Sequence, residues 1–423
     1  MSRKKVLLIG PPFSGHLHPL LGIGKGMATV ADVLVVCTPK GVKEAVAAGL
    51  RSRVILAEKE HVVMGISEPG HAVKNNPLRL LGQLRENVGV MLEVQSELAA
   101  IYMHEKPDLV IADSVVPVAG ITAMRHGIAW WTAISSPCVI ETPDGPPAYF
   151  KGQLPARTTF QRLRHSVMRK ATKGFKHLAW LLFRRVFIGV GFHGIYRSDG
   201  NEAVYSPERI LALGARELEF DCTWPQAVTF VGPVLYTPPY KGPDPKFPDD
   251  GRPCVLISIG THLLHAKDNV ASAIRKIAER NPGIVFHFSH GNSAAPTVRQ
   301  EANFHEYAYI SYADHLPRYD LVVHHAGAGV TNHCLTHGIP SVVHPLDFDQ
   351  FDYAARLVAA GVAIAAPQLL DLEPAILGAL HNEGLRSMCA NMSRVVSSYD
   401  AVTSIVDLLG DLAAVPAKTR AKK

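Results

Sequence analysis

Along this chain, short uninterrupted apolar runs alternate with longer stretches in which apolar residues recur every three or four positions. In the first half, residues 6–9, 32–37 (DVLVVC), 108–112 (DLVIA) and 129–133 are runs of strand length, and the longest helical pattern covers about 78–104. The second half repeats the plan, with strands expected at 255–259, 284–288, 321–323 and 341–343 and helices near 269–280 and 328–336. Apolar runs without polar alternation imply strands buried on both faces, hence a parallel sheet covered by helices. Between the halves, residues 236–253 (YTPPYKGPDPKFPDDGRP) contain six prolines, which neither a helix nor a central strand tolerates. The pattern therefore predicts an α/β protein with two Rossmann-like, doubly wound domains at 1–235 and 254–390, joined by a Pro-rich linker at 236–253. Residues 391–423 form a terminal helix and basic tail that either stay with the second domain or cross back to the first. In such sheets ligands bind beyond the carboxyl ends of the strands, so function is expected on post-strand loops facing a shared cleft.

A length of 423 residues is too great for one ordinary core and agrees with two domains. Apolar residues make up 47% and charged residues 19%, a globular balance, and no run of ~18 uncharged apolar residues predicts a membrane span. The start, MSRKKVLLIGPPF, has a signal-like charge pattern, but its apolar run stops at Pro11 and Pro12 and reads as a first strand. Six scattered cysteines with no C-x-x-C pair fit a reducing cytoplasm and argue against a disulfide framework. The net charge of +6 is uneven, because no Asp or Glu lies between Gly145 and Ser198. The basic residues of segment 151–197 are mixed with Leu178, Trp180, Leu182 and Phe183. Two readings follow: a solvated basic helix face beside an acceptor pocket, or peripheral contact with an anionic membrane at its cytoplasmic face. No nucleic-acid-binding motif accompanies the charge.

Three loops carry candidate chemistry. HHAGAGVTNH (324–333) follows an apolar strand, and Gly327 and Gly329 precede a helix. Glycines admit close backbone approach, and the free N–H groups of a helix start attract an anion. A histidine and the Thr331 hydroxyl can add hydrogen bonds there; the alternative is a tight turn whose histidines only pack. GPPFSGHLHP (10–19) lacks the lysine of a phosphate-binding P-loop, and Gly22-Ile23-Gly24-Lys25-Gly26 lacks dinucleotide-fingerprint spacing. What remains is His16 at a strand's carboxyl end, a candidate general base, with Asp113 at the end of the 108–112 strand as its partner or as a helix cap. In HPLDFDQFDYAA (344–355), Asp347 and Asp349 admit a metal or a capping role, and Asp349 with Gln350 admits binding of vicinal sugar hydroxyls. The pairs His262/His265 and Cys334/His337 lack companions for zinc and are discounted.

Taken together, these segments resemble the UDP-sugar-dependent glycosyltransferases of the GT-B architecture. That group includes plant and animal glucosyl- and glucuronosyltransferases and bacterial macrolide and carotenoid enzymes. The resemblance rests on VVHHAGAGVTNHCLTHGIPSVVHPLDFDQFDYAARLVAAGVA (322–363), Gly15-His16-x-x-Pro19, Val231-Gly232-Pro233 and Ser258-Ile259-Gly260-Thr261. It implies an inverting, metal-independent hexosyl transfer in which His16 deprotonates the acceptor with Asp113 as its partner. It further implies that His325 and the turn Gly327, Ala328, Gly329, Val330 and Thr331 hold the diphosphate, beside Gly260 and Thr261. Asp349 and Gln350 then bind sugar hydroxyls. The family's Trp-x-Pro-Gln is here Tyr309-Ile310-Ser311-Tyr312, so Tyr309 and Ile310 fall at the base site and both UDP- and dTDP-sugars stand as co-substrates. A family Ser or Thr is Val330 here, which shifts one phosphate hydroxyl to Thr331. No other cofactor is implied. The acceptor is expected to be small and hydrophobic, such as a carotenoid, polyketide or lipid. A non-hydrolysing nucleotide-sugar epimerase and a non-catalytic binding subunit are the rival readings.

Overall fold

The structure, a computed structural model, describes residues 3–67, 77–240, 242–261, 264–291 and 299–412. The first half builds one sheet from β1 (Lys5–Ile9), β2 (Asp32–Cys37), β3 (Arg51–Val54), β4 (Leu109–Asp113), β5 (Ala129–Ile134), β6 (Arg209–Ala212) and β7 (Val228–Phe230). Its order is β3-β2-β1-β4-β5-β6-β7, parallel throughout. The second half builds another from β8 (Cys254–Ser258), β9 (Val285–Ser289), β10 (Arg299–Glu301), β11 (Phe304–Tyr307), β12 (Leu321–His324), β13 (Ser341–Val343) and β14 (Ala363–Ala365). Its order is β10-β11-β9-β8-β12-β13-β14, with β10 antiparallel at the edge. The expected doubly wound α/β plan is thus present twice.

The topology decides where a ligand can sit. From β1 the chain winds outward through β2 to β3 and then returns to the other side of β1 as β4. From β8 it winds through β9 to β11 and returns as β12. At each reversal the loops after the two central strands diverge and leave a crevice at the sheet's carboxyl edge. His16 lies just after β1 and Asp113 ends β4; Gly260 follows β8 and His325 follows β12. Each candidate pair therefore flanks a switch point.

The central strands are apolar along their length and buried on both faces; β4, β5, β8 and β9 have every residue buried. Several strands had no counterpart in the expected set. Two of these, β3 (RSRV) and β10 (RQE), lie at sheet edges, where half-exposed positions carry charge and no apolar run is needed. Among the described residues, 236–253 carries neither helix nor strand. It is nonetheless pinned to the second half: Phe247 packs on Tyr319 with ring centroids 4.9 Å apart, and Tyr240 on Tyr309 at 5.0 Å. The last helix, Ala401–Gly410, does cross back. Ala401, Ile405 and Leu409 join the core on one face of the first sheet, and Lys4 Nζ donates to the Leu409 and Leu412 carbonyls at 2.6 and 2.8 Å. Residues 413–423, which hold the expected basic tail, lie outside the described residues, as does His262 and the side chain of His265.

The basic segment forms one helix, Thr159–Val190, bent near Phe183. Thr158 and Gln161 close a reciprocal capping box at its start, and Gly191, at φ 102°, ends it in the left-handed region that glycine adopts without strain.

Candidate active site

His16 sits in the first turn of the helix Ser14–Met27, which starts directly after β1. Its Nδ1 lies 3.0 and 3.1 Å from the two carboxylate oxygens of Asp113. Asp113 is buried and also accepts from the Val115 amide at 3.0 Å, so its carboxylate is held by its own loop. When Nδ1 donates to Asp113, Nε2 keeps its lone pair, and the ring is 32% exposed. Burial disfavours the imidazolium, but Asp113 and, more weakly, Asp349 outweigh it and raise His16 above the ordinary imidazole value. The influence of Asp349 matters because that residue belongs to the second half. The helix carrying His16 also contacts the helix Ala328–His337, so the loops after β1 and β12 face one another.

The glycine turn assigns different jobs to its two histidines. His324 is fully buried, and its Nδ1 accepts from the Ala326 amide at 3.0 Å. Burial drives its pKa down to about 3, so it is neutral and shapes the turn, in which Ala326 takes φ 65°. His325 is half-buried, and its ring lies where side chains at two neighbouring positions would be. A Cβ at Gly260 would fall 2.6 Å from its Cε1, and one at Gly327 would also collide with it. Glycine at both positions is what makes room for the imidazole. Gly260 itself has φ 77°, and a Cβ on Gly291 would strike its carbonyl, so the loops after β8 and β9 meet backbone to backbone while the loop after β12 reaches Gly260 through the His325 ring. Gly327 caps the helix Ala328–His337 with no side-chain bond to its first amides, and the space above Gly329 is open. A helix start of this kind has free amides and the positive end of its dipole turned toward that space.

Other candidates are placed differently from the expectation. Val330 packs with Cys254, Leu256 and Val322, Ile310 lies in the same cluster, and Thr331 is fully buried with its hydroxyl unpartnered. Their side chains point into the fold because a helix and a loop that pack on a sheet must turn their small and apolar residues inward. Only backbone is left at these positions for a ligand, and the proposed shift of a phosphate hydroxyl to Thr331 does not fit this orientation. Gln350 is buried and its Oε1 already accepts from the Leu346 and Asp347 amides at 2.8 and 3.1 Å, which leaves its amide group as a donor. Asp349 starts the helix Gln350–Ala359 without making a side-chain cap, which removes the capping alternative. Asp347 is buried and accepts from the Phe348 amide at 3.0 Å, and no group of three metal-ligating side chains occurs among the described residues. Phe348, between the two aspartates, takes φ 55°, and Asp349 is half-buried where Asp347 is buried. Tyr309 is half-buried and packs against Tyr240 with the ring planes tilted by 58°, while the Tyr312 hydroxyl lies 2.5 Å from Ser258 Oγ. Thr261 is half-buried beside Gly260.

One feature of the site region was not anticipated. The loop 149–152, with Tyr149 and Lys151 at φ 66° and 57°, hooks over the start of the helix Gln350–Ala359. The Tyr149 amide donates to Asp352 at 2.8 Å, and Gly152 packs directly on the Phe351 carbonyl. Behind it, Arg356 forms a buried ion pair with Glu219, and the Tyr353 hydroxyl donates to the Ser135 carbonyl at 2.6 Å. Burial pushes the Glu219 carboxyl up despite Arg356. Burial likewise raises Asp352, to about 6, against its backbone hydrogen bonds and Arg356. A raised carboxyl pKa stabilises the fold below the unfolded value and loses that stabilisation as pH rises through about 6. We predict that wild type loses stability relative to Asp352→Asn by up to about 3 kcal/mol between pH 3 and pH 8, roughly half of it above pH 5. Parallel melting temperatures of the two proteins check this; a pH-independent difference would show that Asp352 titrates normally.

Residues 271–410 match the family described as Erythromycin biosynthesis protein CIII-like, C-terminal domain. Among curated proteins, the chain is 32% identical over 95 residues to a Sterol 3-beta-glucosyltransferase of Yarrowia lipolytica, which covers 22% of this chain and 6% of that protein. It is 28% identical over 116 residues to Demethyllactenocin mycarosyltransferase of Streptomyces fradiae, covering 27% and 25%. The chain thus spans far less than two thirds of the length of these relatives. Among solved structures, the glycotransferase of kitacinnamycin superposes with a TM-score of 0.75 at 20% identity, over 97% of this chain and 100% of that one. Spinosyn rhamnosyltransferase SpnG complexed with thymidine diphosphate superposes with a TM-score of 0.65 at 19% identity, over 96% and 100%. The fold is GT-B.

Proposed function

We propose that this chain, of GT-B fold and with an erythromycin-biosynthesis-type second domain, is an inverting glycosyltransferase that moves a hexose from a nucleotide sugar to a hydroxyl of a small hydrophobic acceptor. The observation that carries the reading is the His16–Asp113 pair held at the first switch point within electrostatic reach of Asp349 on the second domain. The acceptor oxygen attacks the anomeric carbon from the face opposite the nucleotide. The bond from that carbon to the diphosphate oxygen breaks, its electron pair leaves with the diphosphate, and the acceptor proton passes to His16 Nε2. A single displacement of this kind inverts the anomeric centre. Charge growing on the diphosphate meets the free amides of the Gly327–Gly329 helix start and His325. Asp349 and the Gln350 amide group are disposed to hold sugar hydroxyls. Helix amides and imidazole neutralise the leaving group, so the reading asks for no metal. The nucleotide is UDP or dTDP; the relative solved with thymidine diphosphate supports the second alongside the first.

Mass spectrometry of products from a panel of nucleotide sugars and pooled hydrophobic alcohols tests the proposal. Product whose mass is acceptor plus hexose, formed only with acceptor present, is expected. Interconversion of donor sugars without acceptor would instead indicate an epimerase, and nucleotide binding with no turnover a binding subunit. A second prediction concerns the donor side. His325→Ala is expected to weaken nucleoside-diphosphate binding by roughly 10- to 100-fold, the worth of one hydrogen bond to a charged group. Calorimetric titration with UDP and dTDP measures it, and unaltered affinity for both would remove His325 from the diphosphate site.

A further inference from the structure

We propose that the outer face of the helix Thr159–Val190 is a docking surface for an anionic lipid bilayer. On that face Phe160, Leu163, Val167, Leu178, Leu181 and Leu182 are between 49% and 74% exposed. With Ala171 and Gly174 between them, they follow a spacing of three and four residues and form one apolar stripe along the helix. Isolated exposed leucines are ordinary, but a continuous stripe on a single helix is not. Some cations of the segment face inward and others are exposed. Lys176 turns inward to Glu141 and Glu202, and Arg169 to the Gly145 carbonyl. These fasten the helix to the domain. Lys170, Arg184 and Arg185 are exposed; at about 100° per residue Lys170 borders the stripe, Arg185 falls within it and Arg184 lies further round on the side of Lys170.

An apolar stripe bordered by free cations matches the layering of an anionic membrane surface: acyl boundary for the leucines, headgroup phosphates for the cations. It does not match a second copy of this helix. No Asp or Glu lies between Gly145 and Ser198, so two such faces brought together would oppose arginine and lysine with arginine and lysine. No described helix is long and apolar enough to cross a membrane, so the contact is one of surface. Position adds to the argument. The stripe begins at Phe160, shortly after the loop 149–152 that hooks over the helix start bearing Asp349, and Arg164 donates to Gln153 of the same segment at 2.7 Å. A bilayer under this helix would hold a membrane-dissolved acceptor next to the edge of the cleft. That purpose rests on the hydrophobic-acceptor reading above; the docking itself does not.

Co-sedimentation with vesicles tests it in the absence of donor and acceptor, so its failure would leave the transferase reading standing. The whole chain is expected to bind vesicles of phosphatidylcholine with about one third phosphatidylglycerol, with binding that falls as salt rises, and not to bind pure phosphatidylcholine. Leu178→Asp/Leu181→Asp is expected to abolish binding. Lys170→Ala/Arg184→Ala/Arg185→Ala is expected to weaken it by about 100-fold, from the loss of three interfacial cations. All five positions are exposed, and unchanged circular dichroism melts would certify folding. Absence of binding to anionic vesicles overturns the proposal, as does undiminished binding of the Asp variant. Concentration-dependent dimerisation of the wild type that the Asp variant abolishes would also overturn it, in favour of a second copy on this face.

Discussion

Replacing His16 with alanine is expected to lower the transfer rate by roughly 100- to 10,000-fold, the usual contribution of a positioned general base, while nucleotide binding is retained. The prediction follows from location. His16 sits on the first domain, and none of the loops that would hold the diphosphate carries it. A single-turnover assay with saturating nucleotide sugar, set beside a UDP and dTDP binding titration, separates the two effects. Undiminished turnover would reject His16 as base. The pH profile carries further information. Asp113 and Asp349 raise the proton affinity of His16, and only the neutral ring can accept a proton from the acceptor. The acidic limb of kcat/KM should therefore lie above 6.5, with activity falling as pH drops through it. Asp113→Asn removes the larger of the two carboxylate influences, so the limb should move to lower pH while the maximal rate falls. A merely structural Asp113 would leave the limb where it is.

The second large effect is on stability. Glu219→Ala leaves the Arg356 guanidinium buried without its carboxylate. The expected cost is about 3–5 kcal/mol, the usual result of breaking a buried pair on one side only. Arg356 keeps the Asp352 carbonyl at 3.0 Å and the face of Phe220, with its guanidinium 4.7 Å from the ring centroid, which holds the side chain in place but does not neutralise it. Urea denaturation measures the loss, and faster proteolysis in the 236–253 connection would report that the domains have come apart. The double replacement Glu219→Leu/Arg356→Met should recover most of the loss, because neither charge is then stranded. A single-mutant loss below about 1 kcal/mol would mean that the pair is solvated when the protein is in solution.

What the sequence made legible follows physical rules. The strands β1, β2, β4, β8, β12 and β13 are buried on both faces and read directly as apolar runs. The edge strands β3 and β10 face solvent and are written in charged residues, so no apolar signal marks them. His16 and Asp113 could be paired because both end strands of one sheet at its carboxyl edge. The choice between His324 and His325 could not be made from spacing, since adjacent residues of a turn differ only in which way the backbone throws them. The same holds for Val330 and Thr331: type and position suggested a ligand, and direction decided otherwise. Glu219, Asp352 and Arg356 were invisible for a different reason. Charged residues are overwhelmingly found at surfaces, and nothing local in the sequence distinguishes three that meet from opposite domains in a dry interface.

That interface bears on recombination. GT-B halves invite exchange, with one protein's acceptor half spliced at the proline-rich connection to another's donor half. For this chain the splice point in the sequence is not where the halves are interlocked. A foreign donor half without an arginine at the position of Arg356 would strand Glu219, and one with a bulky residue facing Gly152 would unseat the 149–152 hook. Chimeras that carry the helix Gln350–Ala359 together with its first-domain counterparts should fold, whereas those cut only at the connection should inherit a mismatched hinge.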